Sequence, residues 1–331
     1  MMETLFSWVF HVLPWLLIAI AFLFKVTTTH ERGKPKTPPG PRPWPIIGNL
    51  NLLGSTPHKS LHSLSQKYGD LMLLKFGSKP VLVASSPETA KLFLKTHDAV
   101  FASRPPTAAA EYTFNRSDMV FAPHGPFWRH ARKILLSEVF SLKKLDSFEH
   151  VRVPAFTVLP FLRSRNESEL RKADGHSISF KKLQEFLDDW FLLGGVINLG
   201  DWIPWLSCFD LQGYVKKMKA FRDEYSKFLD YVIEDHRAIM KAADKNFVPK
   251  DIMDVFLQIA DDPTLDAEEA LTRDRLRGLI HDMLAGSTDT TATSLEWVFQ
   301  ELFRKPWIIE KAKEELDRVI GRERWVEEKD L

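Results

Sequence analysis

Apolar residues recur with helical spacing along most of the chain. This spacing predicts helices over residues 58–68, 128–139, 181–193, 211–242, 250–260 and 267–304. Two short apolar runs, residues 71–76 and 81–84, flank the turn-forming residues 77–80 and predict a β-hairpin. After the hairpin, Ser85 and Glu88 have the spacing of a capping box and Pro87 suits the first helical position, so a helix is expected from there to about Thr96.

Two regions interrupt this periodicity. Residues 104–123 show no sustained spacing and predict a long loop. Residues 151–179 contain Pro154, Pro160 and Gly175 together with the polar run RSRNESELRKAD, so neither a helix nor a strand is predicted there. No sequence repeat is visible.

The first strongly apolar segment is Leu5–Phe24, in which Ser7 and His11 are the clearly polar residues. Twenty helical residues span about 30 Å, the thickness of the hydrocarbon core of a bilayer. A cleaved signal peptide is the alternative, but the apolar run is long, no basic region precedes it and no small-x-small site follows. Basic residues follow the span, so residues 1–26 are predicted to be an uncleaved anchor with the rest of the chain in the cytosol.

Residues 27–45 are basic and rich in proline. The stretch PKTPPGPRPWP, residues 35–45, contains six prolines. Proline fixes φ and lacks an amide donor, so this stretch can form neither a helix nor a central strand. It is interpreted as a stiff spacer between the anchor and residues 46–331, although a generic proline-rich linker would have the same composition.

Composition narrows the classes of function. The chain of 331 residues is 44% hydrophobic and 27% charged, which supports a sizeable core and argues against disorder. A formal net charge of +1 gives no electrostatic footprint for nucleic acid. The single cysteine, Cys208, excludes an intrachain disulfide. Nucleotide-binding and zinc-binding motifs are absent, so no metal-ligand set is predicted.

The most unusual segment is AGSTDTT, residues 285–291, in the middle of the longest predicted helix. Nearly all of its residues are poor helix formers, and such a conflict with local propensity is expected where function requires it. One interpretation is a locally widened helix that presents the Thr290 hydroxyl and the Asp289 carboxylate. The alternative is a helix break with Asp289 as the N-cap of a new helix.

A second pair, Trp128 and Arg132, has the i, i+4 spacing of one helix face and follows the phrase APHGPF. Alone it would also suit a tryptophan–arginine stacking pair on a surface helix.

Taken in order, these features resemble the microsomal cytochromes P-450 of plants, which are haem-thiolate monooxygenases. The proline-rich stretch with IIGNL, the phrase FASRP at 101–105, the WxxxR pair, GDWIPWL at 200–206 and AGSTDTT carry the resemblance over nearly the whole chain. GDWIPWL with LQGYVKKMK at 211–219 resembles the clan that includes flavonoid hydroxylases. Ser287 stands where the family usually has glycine.

The resemblance implies a mainly α fold with a small β subdomain, behind one transmembrane helix in the endoplasmic reticulum membrane. It implies that Asp289 and Thr290 activate dioxygen, that Ala285 and Gly286 let the helix approach haem, and that Trp128 and Arg132 seat the haem. Electrons would come from NADPH through a membrane-bound reductase. Phe114, Met119, Ile280, Met283 and Leu284 are candidates to face a small-molecule substrate, although such side chains are more often plain core.

The family's haem ligand is a cysteine in an FxxGxRxCxG loop that follows an ExxR helix, and neither motif occurs in this sequence. Cys208 lies in WLSCFDLQ, before the AGSTDTT helix, and is expected to be a small apolar core residue instead of a haem ligand. Residues 46–331 are therefore expected to be a partial domain with a gap near 148–180, exposed apolar faces, poor folding and no stable haem.

Three hypotheses remain open: part of a working monooxygenase, a truncated and inert membrane-anchored product, or an unrelated helical membrane-tethered binding protein. Side chains indicate an apolar, aromatic pocket but no particular substrate.

Overall fold

The computed structural model describes residues 37–147, 180–243 and 247–322, together with Trp15, Arg324, Val326, Glu327 and Asp330. The chain divides into two compact units, one formed by residues 1–109 and 195–218 and the other by residues 110–194 and 219–331. The described residues are mainly helical with one two-stranded sheet, which confirms the predicted fold class at this level.

The elements follow one another in this order along the chain. The strands are β1 (Leu71–Phe76) and β2 (Lys79–Ala84). The α-helices are α1 (Pro57–Tyr68), α2 (Pro87–Lys91), α3 (Asp98–Phe101), α4 (Ala108–Tyr112), α5 (Pro126–Ile134), α6 (Leu142–Ser147), α7 (Phe180–Gly195), α8 (Leu199–Trp202), α9 (Tyr214–Ala242), α10 (Ile252–Ala260), α11 (Arg273–Arg304) and α12 (Pro306–Val319). Short 3-10 turns occupy Leu50–Leu52 and Pro204–Phe209, and π turns extend α2 over Leu92–Thr96 and α5 over Leu135–Val139.

The first unit is built on the predicted hairpin. β1 and β2 are antiparallel with Leu71 opposite Ala84. Alternate residues of β1 face inward, and Met72, Leu74 and Phe76 are buried with Leu53. This alternation is the period of two that a half-buried strand requires.

The hairpin turn at Gly77 is held by α8. The Ser78 amide donates to the Trp202 carbonyl at 2.9 Å, and the Trp202 ring meets Phe76 edge-on with 5.3 Å between ring centroids. Gly77 has φ +56°, and an added Cβ would lie 2.1 Å from the Trp202 carbonyl oxygen. Only glycine therefore meets both the backbone angle and the close approach.

The helix after the hairpin begins at Pro87, as predicted, but its N-cap lies one residue later than predicted. Its N-cap is Ser86, whose hydroxyl accepts from the Thr89 amide at 3.2 Å while the Thr89 hydroxyl accepts from the Ser86 amide at 3.2 Å. The predicted cap Ser85 still belongs to the hairpin region, because its amide donates to the Asp70 carbonyl at 2.7 Å. The π turn ends at Thr96, which is the predicted helix end.

The structure differs from the sequence prediction at two further helix boundaries. Residues 104–123 are not all loop, because the alanine run of α4 forms a short helix; alanine has the highest helix propensity. α11 begins at Arg273 and not at Ala267, since the Thr272 side chain caps it by accepting from the Arg275 amide. The Arg275 guanidinium in turn donates to the carbonyls of Ala267, Glu268 and Ala270, which fixes that stretch as a turn.

The last half of α11 and the helix α12 expose large apolar side chains. These are Leu295, Trp297, Val298, Phe299, Phe303, Trp307, Leu316 and Val319. Each square ångström of apolar surface left in water costs about 25 cal/mol relative to burial. The expected exposed apolar faces are therefore present among the described residues, whereas poor folding stays a prediction.

The predicted anchor at 5–24 lies outside the described residues except for Trp15. No helix within the described part of the chain combines the length and the apolar character that crossing a bilayer needs. The predicted gap near 148–180 also falls outside the described residues, apart from Phe180 at its end.

Replacing Gly77 with alanine is expected to destabilise the first unit by more than the ~1–2 kcal/mol that a positive φ costs an L-residue, because the new Cβ also meets the Trp202 carbonyl. Gly213→Ala is the matched control, since Gly213 has φ +70° with no atom within 4 Å of an added Cβ. Urea unfolding of both variants measures the difference, and equal losses would contradict the proposed close contact.

Candidate functional site

The AGSTDTT segment lies in the middle of α11, and the helix passes through it without a break. Its hydroxyls donate back to carbonyls one turn earlier, Ser287 to Met283 at 2.6 Å, Thr288 to Leu284 at 2.6 Å and Thr290 to Gly286 at 2.7 Å. Such bonds let hydroxyl residues sit inside a helix that their propensity disfavours. The alternative of a helix break at Asp289 is therefore wrong, because the helix continues through that residue, whereas a local widening of the helix stays a prediction.

The side chains of this segment divide between two environments. Ala285 is 2% exposed and belongs to the core, whereas Gly286, Asp289 and Thr290 are exposed. An added Cβ on Gly286 would meet no atom within 4 Å. Among the described residues, the segment thus has open space beside Gly286.

Helix α5 places Trp128 and Arg132 on one face, as predicted. The Arg132 guanidinium lies 5.7 Å from the centre of the Trp128 ring. The tryptophan–arginine stacking pair that the sequence left as the alternative is therefore formed. The Trp128 indole N–H also donates to the Met119 carbonyl at 3.2 Å. No carboxylate within the described ranges forms an ion pair with Arg132, which leaves its charge unneutralised.

A shallow concavity adjoins this helix face. It is lined by Arg129, Arg132, Lys133, Leu136 and Ser137 and has a volume of about 430 Å³. Three of these five residues are cationic. A concavity of this composition suits an anionic group, and a planar guanidinium binds a carboxylate in two-pronged fashion better than an ammonium does.

The predicted substrate-facing residues occupy different surroundings. Phe114 is 5% exposed and stacks on the His281 ring with centroids 4.6 Å apart, and Ile280 is 7% exposed. Met119, Met283 and Leu284 are half-buried. Phe114 and Ile280 thus have core surroundings in this structure, and a substrate role for any of the five stays a prediction.

An aromatic cluster around His281 fills the core of the second unit, and the sequence reasoning missed it. The ring of His281 is fully buried, its Nδ1 lies 3.1 Å from the Tyr225 hydroxyl, and the Trp190 ring packs edge-on at 4.5 Å. Burial lowers the pKa of His281 to about 3, because the charged imidazolium cannot be solvated there. His281 is therefore neutral in the folded protein.

The segment before α5 is tied to α11 through the peptide groups of Met119. Its amide donates to the Asp282 carboxylate at 2.6 Å, and its carbonyl accepts from Trp128. The signal that could have found this contact is local: His281 and Asp282 are two polar residues on the otherwise apolar approach to AGSTDTT. The partner across the contact is 163 residues away and leaves no trace in the sequence pattern.

Cys208 lies in the first unit and does not fit a metal-ligand role. It is exposed in the 3-10 turn Pro204–Phe209, and its S–H donates to the Trp205 carbonyl at 3.5 Å. The expected core position of Cys208 is therefore wrong, because its side chain is exposed.

Among the residues that the structure describes, one carboxylate–histidine trio is present, His236 with Asp251 and Asp254, whose ligand atoms lie within 4.8 Å of one another. Both oxygens of Asp254 already have partners, His236 Nδ1 at 3.0 Å and the Lys250 amide at 2.9 Å. The Asp251 side chain accepts from the Asp254 amide as the N-cap of α10. The trio is accounted for by the start of this helix.

Comparison with known proteins defines the class. The cytochrome P450 family profile matches residues 38–159 and 164–331. Dimethylnonatriene synthase of Zea mays is 37% identical over 89% of this chain and 62% of its own length. Flavonoid 3'-monooxygenase of Petunia hybrida is 37% identical over 89% of the chain and 62% of its own length, and phenylacetaldehyde oxime monooxygenase of Prunus mume is 35% identical over 96% and 65%.

The chain belongs to the cytochrome P450 family, and within it to the plant clan that resembles the flavonoid hydroxylases. The hypothesis of an unrelated helical binding protein is therefore wrong. The chain spans about three fifths of the length of the curated relatives it matches.

The family implies a haem, and the described residues fit one side of it. The open surface at Gly286 and Thr290 suits the face where oxygen binds, and the unneutralised Arg132 suits a propionate. The iron ligand does not fit, because the one cysteine has the exposed, carbonyl-bonded setting described above. No reaction step at the iron can be derived from this chain.

Acid sensitivity is expected from His281. Its folded pKa of about 3 lies below its ordinary value of 6.5, so its contribution to stability is complete above pH 6.5 and is lost as the pH falls towards 3. The loss is about 1.4 kcal/mol per pH unit, or about 2 kcal/mol between pH 6.5 and pH 5.

The measurement compares urea unfolding of Tyr225→Phe with that of Tyr225→Phe/His281→Phe from pH 7 to pH 5. Both variants lack the hydroxyl, so their difference isolates the imidazole. An unchanged difference across this range would contradict a buried neutral His281.

Proposed function

We propose that the protein of which this chain spans a large part hydroxylates a small apolar or aromatic plant metabolite, using dioxygen and electrons from NADPH. The single observation that carries the proposal is the α11 segment, where Thr290 is exposed beside an open Gly286 and its hydroxyl is bonded to the Gly286 carbonyl at 2.7 Å. A relative named a flavonoid 3'-monooxygenase supports the reaction class, and the other named relatives support an apolar substrate without fixing it.

Each residue has a defined part in this proposal. Haem, when bound, supplies the activation of dioxygen. Arg132 holds a propionate through a charge-assisted bond, and Trp128 packs beside it. Thr290 holds a proton at Oγ1, and Asp289, exposed on the same helix one residue earlier, exchanges protons with solvent.

The proposed setting is the endoplasmic reticulum membrane. Residues 5–24 have the length and apolar character of a single span, and the basic residues after them favour a cytosolic position for residues 46–331. A membrane-bound NADPH-dependent reductase would be the electron donor, and the membrane lipid would be the anchor's partner.

A second candidate is that the 331-residue chain alone is catalytically inert. The setting of Cys208 favours it, because no other cysteine is present to hold haem iron. The two candidates are compatible, since one concerns a longer protein and the other concerns this chain.

Carbon monoxide difference spectra test both candidates. The 331-residue chain in microsomes is expected to show no Soret band of a thiolate-ligated haem, because its cysteine lacks a suitable setting. A longer product that adds an ExxR helix and a cysteine loop is expected to show the band and to hydroxylate members of a flavonoid and terpenoid panel. A thiolate-haem band from the 331-residue chain would contradict the second candidate, and a longer product without the band would contradict the first.

In that longer product, Thr290→Ala is expected to lower product formed per NADPH consumed by at least about tenfold, since a positioned proton donor contributes roughly 10²–10⁴-fold. The haem content should not change. Thr288→Ala is the matched control, because Thr288 makes the same kind of bond to the carbonyl one turn earlier. Equal effects of the two substitutions would show that the hydroxyl at 290 has no special part.

A further inference from the structure

The backbone of residues 117–119 lies directly on α11. An added Cβ on Gly278 would lie 2.6 Å from the Ser117 carbonyl oxygen and 2.9 Å from the Asp118 Cα. Asp282 follows Gly278 by four residues and so faces the same side of the helix. The absence of a side chain at Gly278 therefore brings this segment within reach of the Asp282 carboxylate.

Two carboxyl groups are buried at this contact, and each is only half satisfied. Asp118 is 0% and Asp282 is 8% exposed. Asp118 Oδ1 accepts from the Phe121 amide at 3.0 Å, and Asp282 Oδ2 accepts from the Met119 amide at 2.6 Å. The remaining oxygens, Asp118 Oδ2 and Asp282 Oδ1, are buried without a hydrogen-bond partner.

Nothing cationic compensates the pair within the described residues. Neither carboxyl forms an ion pair with a lysine, arginine or histidine there. Of the titratable groups in the neighbouring cluster, His281 is neutral, and Tyr225 keeps its proton because burial and the charge of Asp282 raise its pKa. Two bare carboxylates buried without a cation are strongly disfavoured, whereas one proton on the pair removes one charge and supplies an O–H donor for an unpartnered oxygen.

We propose that Asp118 and Asp282 share one proton as an acid–carboxylate pair, and that this pair positions the Met119 segment on α11. The pair acts by positioning the backbone: Asp282 accepts from the Met119 amide and Asp118 accepts from the Phe121 amide. Its bearing on substrate binding rests on the proposed function, through the predicted substrate-facing role of Met119.

The proton balance of the pair agrees with this arrangement. Burial raises the pKa of Asp118 to about 6, and burial with the charge of Asp118 raises the pKa of Asp282 well above its usual range. A carboxyl with a raised folded pKa stabilises the fold fully below about pH 3.8, and this contribution is lost as the pH rises through the folded pKa. The pair and His281 therefore have opposite pH dependences: the contribution of the pair to stability is lost as the pH rises, and that of His281 is lost as the pH falls.

Infrared spectroscopy of the complete 331-residue chain at pH 7.5 tests the pair directly, because a buried protonated carboxyl has its own C=O stretching band. Asp282→Asn and Asp118→Asn should each remove that band, since the amide takes the place of the protonated partner and donates to the remaining carboxylate. Asp189→Asn, at an exposed position on α7, is the matched control and should leave the band unchanged.

The outcomes separate sharing from its alternatives. A band that survives Asp118→Asn would show that Asp282 keeps its own proton and would overturn sharing. A wild-type chain without the band would show that both carboxyls are ionised and would overturn the proposal. Stabilisation of the wild type by added Ca²⁺ at pH 7.5 would show that a cation binds between two carboxylates and would also overturn it.

Stability gives a second readout. The ratio of the folding equilibrium constant of the wild type to that of Asp282→Asn should fall about tenfold per pH unit between pH 5 and pH 7. The reason is that the folded wild type retains one proton that the unfolded chain has lost. The opposite effect of His281 is common to both proteins and cancels in this ratio. A ratio that does not change with pH would contradict the shared proton.

In the longer haem-containing product, Asp282→Ala should raise KM at an unchanged carbon monoxide band, while Asp282→Asn should restore KM. If no variant shows that band, the proposed function fails and the infrared result still decides the pair. If KM does not respond to Asp282→Ala, the pair does not position the substrate segment.

Discussion

The close approach of residues 117–119 to α11 is the constraint on which the second unit depends. Gly278 permits it, because any larger residue would place its Cβ 2.6 Å from the Ser117 carbonyl oxygen, which is closer than van der Waals contact allows. Where the backbone packs this closely against a helix, its polar groups on that side lose contact with water and need partners within the protein. The Asp282 carboxylate meets this demand at Met119, and the Trp128 indole meets the demand of the carbonyl on the same residue.

The same contact divides α11 into two halves with different chemistry. The half from Leu276 to Ala285 is largely buried, and its polar side chains His281 and Asp282 bond to other parts of the second unit. The half from Gly286 onward is exposed, and its hydroxyls bond to the helix's own carbonyls. A first half that is packed into the second unit can hold the second half in place, which is what a site that positions a ligand beside Thr290 would require.

Local features were predictable from the sequence, and tertiary ones were not. The hairpin follows from alternation around a turn, and most helices follow from apolar spacing. The N-cap at Ser86 was missed by one residue because Ser85 remains bonded to Asp70, a contact between residues distant in sequence. The motif residues Thr290, Trp128 and Arg132 were found because they break local rules or share a helix face. His281 does interrupt the apolar pattern before AGSTDTT, but its role, like that of Asp118, depends on burial by residues far away in the chain.

The most direct measurement of this account is amide hydrogen exchange at Met119, resolved by fragmentation of the peptide that contains it. The account predicts that the Met119 amide exchanges as slowly as the amides in the buried half of α11, because its donated bond ends on a carboxylate that water does not reach. Exchange at the rate of an unstructured amide would contradict it, since the segment would then be free of α11 and neither Gly278 nor Asp282 would hold it there.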